Sequence, residues 1–248
     1  MTSDRPELLL LHALPLDASM WVNQMDLLPA DTVAPTLYRF GDRIESWANS
    51  ALAEAKGNRL VVVGCSVGGS CALEIAALAP ERVAALVLIG TKADHRPDRA
   101  LRDAALRTIA TDGLEAAWEA YWAPLFSPHT STEVVAQARA QALRQSPDEL
   151  ARGITAFHTR PSRGQVLMDL ACPTMVVTGA DDVAPGPEAS ARQAALARHG
   201  RLHVVPDCGH YVPLEQPDVL NGILREVILE CRKATRTCFG NNDRDRKA

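Results

Sequence analysis

The chain has 248 residues, of which 47% are hydrophobic and 23% charged, with a formal net charge of -4. That length and apolar content allow one large domain with a sizeable core, and the slightly acidic balance gives no reason to expect nucleic acid or an anionic membrane surface as a partner. The six cysteines, at 65, 71, 172, 208, 231 and 238, include no C-x-x-C pair, which argues against a metal site and a disulfide framework and for a reducing, cytoplasmic setting.

The N-terminus does not read as a signal peptide, because its apolar run is four leucines long and follows Asp4 and Glu7. No stretch approaches the roughly 20 apolar residues of a membrane span. ELLLLH (7–12) reads as a buried strand that runs into the loop LHALPLDASMW (11–21). APTLYRF (34–40) is a further strand candidate, and 44–56 has a helical pattern. RLVVVG (59–64) is a strand that ends in Gly64-Cys65-Ser66-Val67-Gly68-Gly69, and a helical pattern over 67–79 follows at once. VAALVLIG (83–90) is another strand. From Lys92 to about Asp169 no strand is legible; the pattern is helical and broken at Pro124, Pro128, Pro147 and Pro161. This segment holds ten Lys/Arg and ten Asp/Glu, so it does not announce a charged substrate. TMVVTG (174–179) and RLHVV (201–205) are the last strands, with helices expected over 188–199 and 216–230. From Arg232 the chain carries six Lys/Arg against two Asp and almost no large apolar residue, which reads as a disordered basic tail.

Strands without polar alternation need cover on both faces, as in a parallel sheet. Their alternation with helices predicts an α/β class: a doubly wound, mostly parallel sheet of about six strands with helices on both faces. The expected organisation is a core of residues 1–91 and 170–231, a helical cap over 92–169 at the C-terminal edge of the sheet, and a tail over 232–248.

A serine held between glycines where a strand turns into a helix has a mechanical meaning. Glycines at 64 and 68 remove Cβ atoms from a very tight turn, Gly69 lets the helix lie close to the strands, and the Ser66 hydroxyl projects above the sheet edge beside the helix N-terminus. A nucleophilic serine needs a base, an acid that orients the base, and oxyanion donors. Candidates follow in the order Ser, Asp, His at the ends of later strands: Asp181 and Asp182 after 174–179, and His210 after 201–205. The loop after the first strand lies beside the turn in such a sheet, so the backbone N–H groups of Leu14 and Val67 are expected to converge on one oxygen. The other histidines have structural explanations; His12 ends the first strand and is placed to brace the loop after it. Trp118, Tyr121 and Trp122 are spaced i, i+3, i+4, which predicts one helix face that lines a substrate pocket or, alternatively, only packs the cap down.

Together these motifs resemble the α/β-hydrolase superfamily in its small, cap-bearing, cofactor-free form. HALPLDASMW resembles that superfamily's oxyanion loop, GCSVGGS its nucleophile elbow, TGADDVAPGPE its acid loop, and VPDCGHYVPLEQPDVL its histidine loop and final helix. CPTMVVTG, with TRPSRGQVLMDL before it, looks like the branch of 3-oxoadipate enol-lactonases and related carboxylesterases. The resemblance covers residues 7 to 230 and implies a serine hydrolase with no cofactor and no metal, acting on a small carboxylic ester or lactone. It implies Ser66 as nucleophile, His210 as base and, because the acid loop places its carboxylate three residues after Gly179, Asp182 as the acid. Ala13 departs from the usual glycine, and APTLYRFGD departs from the usual Asp-x-Arg-Gly-x-Gly. Two other functions stay open on the sequence. The same triad serves C–C hydrolases, lyases and perhydrolases, and a binding module could retain the pocket without the chemistry. Oligomeric state is not legible.

Overall fold

An uninterrupted apolar strand has no face to turn to water, and the observed sheet meets that demand. In the computed structural model, which describes residues 6–240 and side chains up to residue 233, six strands form one sheet. They are β1 (Glu7–Leu11), β2 (Thr32–Val33), β3 (Leu60–Cys65), β4 (Val83–Ile89), β5 (Thr174–Gly179) and β6 (Gly200–Val205). The order is β2-β1-β3-β4-β5-β6 and every pairing is parallel. Every residue of β1, β3 and β5 is buried, as sheet strands covered on both faces require.

The second strand differs from its expectation. The chain pairs at Thr32–Val33, and the stretch expected to be a strand over 34–40 instead enters a 3-10 turn at Leu37–Phe40. Pro35 has no N–H for a ladder, and the Leu37 N–H is taken by a side chain, donating to His12 Nε2 at 2.8 Å.

Helices α1 (Ile44–Glu54) and α2 (Val67–Leu78) pack on each other, and α2 starts directly after β3 with ten consecutive buried residues, Val67 to Ala76. Between β4 and β5 run α3 (Arg99–Thr111), α4 (Gly113–Ala117), α5 (Thr132–Leu143), α6 (Pro147–Thr159) and α7 (Gly164–Asp169). This segment, without a strand as its proline-broken pattern predicts, is tied down at its end. Arg163 makes a two-pronged ion pair with Glu74 of α2 at 2.7 and 2.9 Å, and its N–H donates to Ala93 O. Glu74 is 3% exposed, so the pair covers a charge that would otherwise be buried alone. After β5 come α8 (Pro187–Leu196), then β6, α9 (Val212–Glu215) and α10 (Pro217–Gly240). α10 thus enters the stretch that reads from Arg232 as a disordered tail; the remainder of that tail, 241–248, lies outside the described residues.

From β1 the chain steps outward to β2 and then returns to the other side of β1 for β3. The direction of winding reverses between β1 and β3, so the crevice above their C-terminal ends is the place where such sheets bind ligands. The loop after β1 and the turn after β3 both open there.

Candidate active site

Ser66 sits between β3 and α2 with φ 54° and ψ -118°. For a residue with a side chain this conformation costs on the order of 1–3 kcal/mol, so the surroundings must hold it in place. They do so from both sides. Ser66 N–H donates to Ile89 O at 2.8 Å, and Ser66 O accepts from Thr91 Oγ1 at 2.7 Å and Gly69 N at 3.0 Å. The glycines supply clearance. A Cβ on Gly64 would collide with the backbone of Gly68, one on Gly68 with the Leu11 and His12 carbonyls, and one on Gly69 with the Thr91 side chain. Cys65 is fully buried beside the serine, and burial pushes its thiol well above the ordinary range, so it packs as an apolar group.

His210 and Asp182 come together above the ends of β5 and β6. His210 Nδ1 is 3.1 Å from Asp182 Oδ1, and the two side chains are 3% and 0% exposed. A carboxylate accepts, so Nδ1 carries a proton, and in the neutral ring Nε2 is then the lone-pair nitrogen. Asp182 Oδ1 also accepts from Ala184 N at 2.8 Å. Gly90 ends β4 with φ 54°, and a Cβ there would stand 2.9 Å from the His210 ring and 3.3 Å from Asp182 Oδ2. The pair therefore occupies space that Gly90 leaves empty, a role signalled in sequence only by the glycine that closes VAALVLIG. Of the two adjacent aspartates, Asp182 faces the ring, whereas Asp181 Oδ2 accepts from Ser127 Oγ at 2.6 Å in the segment between β4 and β5.

The histidine loop is clamped by a carboxylate that sequence reading passed over. Glu215 accepts from Gly209 N and Tyr211 N, which flank His210, and from Ser127 N and Thr130 Oγ1 across the cleft. His210 N–H itself donates to Leu125 O at 2.9 Å. Its only trace in sequence is an acidic residue five positions after the histidine.

The loop after β1 is held by its carbonyls. Ala13 O accepts from Leu16 N at 2.9 Å and from His12 Nδ1 at 3.2 Å, so the N–H of the same planar trans peptide, that of Leu14, points the opposite way. His12 Nε2 takes the Leu37 N–H and so must be unprotonated. Burial lowers the His12 pKa to about 4, only partly offset by the Ala13 bond and the Asp17 charge, which keeps the ring neutral near pH 7. The loop is pinned again by Tyr38, which donates to Leu16 O at 2.7 Å, and by Tyr211, which donates to Leu14 O at 3.0 Å. Asp17 ties it to the end of α5 by accepting from Gln141 in that helix and from Gln145 just beyond it. Burial alone would raise the Asp17 pKa, but bonds from Ser19 and Gln145 outweigh it and hold the carboxyl below its ordinary range. Among the described residues, neither the Leu14 nor the Val67 amide meets an acceptor. Val67 is in the first turn of α2, where amides have no partner within the helix and the dipole is positive.

Ser66, His210 and Leu14 line one cavity of about 300 Å³, walled by apolar groups that include Tyr121, Trp122, Leu125 and Ile154. Trp118 is not on that wall. Residues 118–122 wind as a π turn, in which Ala123 N–H donates to Trp118 O, so the α-helical spacing that would align the three rings does not hold. Trp118 is buried and packs its ring on Phe126 at 5.8 Å. Among the described residues, no group of three or more His, Cys, Asp or Glu side chains is arranged to hold a metal ion, and no helix is long and apolar enough to cross a membrane.

Comparison with known proteins matches residues 8–223 to the alpha/beta hydrolase family. The chain is 31% identical over 190 residues to a Bacillus subtilis protein named as a 2-succinyl-6-hydroxy-2,4-cyclohexadiene-1-carboxylate synthase, covering 71% of this chain and 68% of that protein. It is 24% identical to a 2-hydroxy-6-oxononadienedioate/2-hydroxy-6-oxononatrienedioate hydrolase of a Pseudomonas species, over 67% of this chain and 62% of the relative's length. It is 26% identical to a pimeloyl-[acyl-carrier protein] methyl ester esterase of Aromatoleum aromaticum, over 91% of this chain and 99% of that one. Among solved structures, a thermophilic esterase of Thermogutta terrifontis superposes with a TM-score of 0.81 at 27% identity, covering 93% and 92% of the two chains.

The geometry separates the two aspartates. Asp182→Asn is expected to keep the fold but favour the wrong histidine tautomer, lowering kcat by about 10⁴ as in serine proteases, while Asp181→Asn stays within about tenfold of wild type. Steady-state kinetics of both variants on one ester checks this, and the reverse ranking moves the acid to Asp181.

Proposed function

The chain belongs to the alpha/beta hydrolase family, and from that premise we propose that it is a serine hydrolase of a small carboxylic ester or lactone. Ser66 Oγ attacks the carbonyl while His210 Nε2 takes its proton. Asp182 holds the ring in the tautomer that leaves Nε2 free and stabilises the imidazolium that forms. The Leu14 and Val67 amides receive the developing oxyanion, where each such donor is worth about 2.7–4 kcal/mol. His210 then protonates the leaving alcohol, and water, activated the same way, releases the acid. The segment 92–169 acts as the cap that supplies the apolar wall.

The observation that supports this reading best is that Ser66 and His210 face one cavity while the far nitrogen of His210 is bonded to a buried carboxylate. Unpartnered amides at Leu14 and Val67 add to it. A binding module has no use for a strained serine, a fixed tautomer and two free donors in one place. A second reading keeps the triad and changes the bond broken. It is favoured by the relatives named as a synthase and as a hydrolase of an oxo-diene dioate, whose names contain no ester.

A panel of 4-nitrophenyl esters, short lactones and a 2-hydroxy-6-oxo-dienoate tests both readings. Ester or lactone turnover that falls by several orders of magnitude in Ser66→Ala, with unchanged circular dichroism, is the expected result. Cleavage of the dienoate alone would transfer the assignment to carbon–carbon hydrolysis, and ordinary ester turnover in Ser66→Ala would remove the serine from the mechanism.

Trp122 is 6% exposed and walls the cavity. Trp122→Ala is expected to raise kcat/KM for 4-nitrophenyl hexanoate relative to acetate by about tenfold or more, the low end of what a pocket reads for one methylene. An unchanged chain-length profile with a lower Tm would reduce Trp122 to packing.

A further inference from the structure

A second, smaller chamber of about 100 Å³ opens on Ser66, and its lining differs in kind from the apolar cavity. Ser70, Thr91, Lys92 and Arg160 contribute polar groups to it, with Phe157 and Ala184. Lys92 and Arg160 also line a neighbouring trench of mixed charge, with Asp94, His95, Arg96, Asp98 and His158.

Arg160 is the unusual group. It is 7% exposed, and among the described residues no Asp or Glu lies within ion-pair distance of it. Its Nη1 donates to Phe157 O, and its Cζ lies 3.9 Å from the centre of the Phe157 ring. Its Nε is buried with nothing to bond, and Nη2 also meets no acceptor. The unused edge of the guanidinium is thus the Nε–Nη2 edge, whose two parallel N–H groups match the two oxygens of a carboxylate. Nearby, the His158 Nδ1 is likewise buried without a partner. Burial, with the neighbouring Arg160 charge, lowers the His158 pKa to about 4, so that ring is neutral near pH 7 and Arg160 carries the local buried charge. Burial also lowers the Arg160 pKa, to about 10. A buried, always-charged group without a counter-ion is costly, and proteins rarely keep one.

We propose that the chamber between Ser66 and Arg160 is a carboxylate subsite, in which the guanidinium of Arg160, assisted by Lys92, receives an acid group of the substrate. The substrate class is then an acid-bearing ester, lactone or related acyl compound, with its reacting carbonyl at Ser66 and its apolar part in the larger cavity. This rests on Ser66 as the reacting hydroxyl. The equal numbers of acidic and basic residues in 92–169 hid the site, because the sum over a segment does not reveal a single unpaired cation.

The test compares matched substrates in wild type, Arg160→Met and Arg160→Lys. One pair places the acid on the acyl side, 4-nitrophenyl hydrogen succinate against 4-nitrophenyl butyrate; the other places it on the alcohol side, 3-carboxyphenyl butyrate against phenyl butyrate. For one pair, Arg160→Met is expected to lower kcat/KM on the acid-bearing ester by at least about tenfold, chiefly through KM, with the neutral ester within about threefold of wild type. Arg160→Lys, which keeps the charge but not the two-pronged edge, is expected to fall between them and to secure the result should the Met variant fold poorly. Equal losses on acid-bearing and neutral esters in both variants would show a packing role and overturn the proposal. In parallel, thermal stabilisation by succinate and by succinamide is measured in Ser66→Ala, which does not depend on turnover. Stabilisation by succinate alone, lost when Arg160→Met is added, supports the subsite even if no ester is cleaved. No succinate-specific shift, together with substrate pairs that respond equally, overturns it.

Discussion

Everything at this site depends on one backbone constraint, the conformation of Ser66. A residue with a Cβ is held at φ 54° where a fully buried strand meets the buried first ten residues of a helix. The strain is supported by bonds to Ile89, Thr91 and Gly69 and by three glycines whose missing Cβ atoms let β1, α2 and the loop after β4 approach the turn. The same geometry leaves the Val67 amide at the open end of α2, next to the serine hydroxyl. Strain stored at one residue and supported by surroundings that cannot relax is characteristic of sites where orientation matters more than stability.

The other parts are placed by ties that cross between the sheet loops and the helical segment over them. Glu215 joins the two sides of His210 to Ser127 and Thr130, Asp181 adds a bond to Ser127, and Asp17 joins the loop after β1 to α5. The helical segment therefore does more than line the cavity. It fixes the histidine loop from above while β5 and β6 fix it from below. The Ala13 carbonyl, pinned by Leu16 and His12, sets the direction of the Leu14 amide without any contact to a reacting atom.

Much of this was legible in the sequence, for physical reasons. Buried parallel strands have a simple signature, so five of the six were placed within a residue or so. Ser66 and His210 are legible as candidates from a glycine-flanked turn at a strand end and from chain order, whereas Asp182 is separated from Asp181 only by the resemblance. What was not legible depends on contacts between distant residues. The stretch 34–40 reads as a strand, but the His12 ring takes the Leu37 N–H and Pro35 has none to give. Spacing groups Trp118 with Trp122, because a π turn cannot be read from it. Gly90, Glu215 and Arg160 escaped because a glycine, an acid and an arginine are ordinary letters until the side chains around them are known.

The most direct test of the central claim is to treat the protein with phenylmethylsulfonyl fluoride and map the adduct by tandem mass spectrometry. A serine activated by His210 and aligned with two oxyanion donors should be sulfonylated stoichiometrically at Ser66, with matching loss of activity and no adduct in His210→Ala. A protein that stays unmodified, or an adduct on a different serine that carries the loss of activity, would contradict the account.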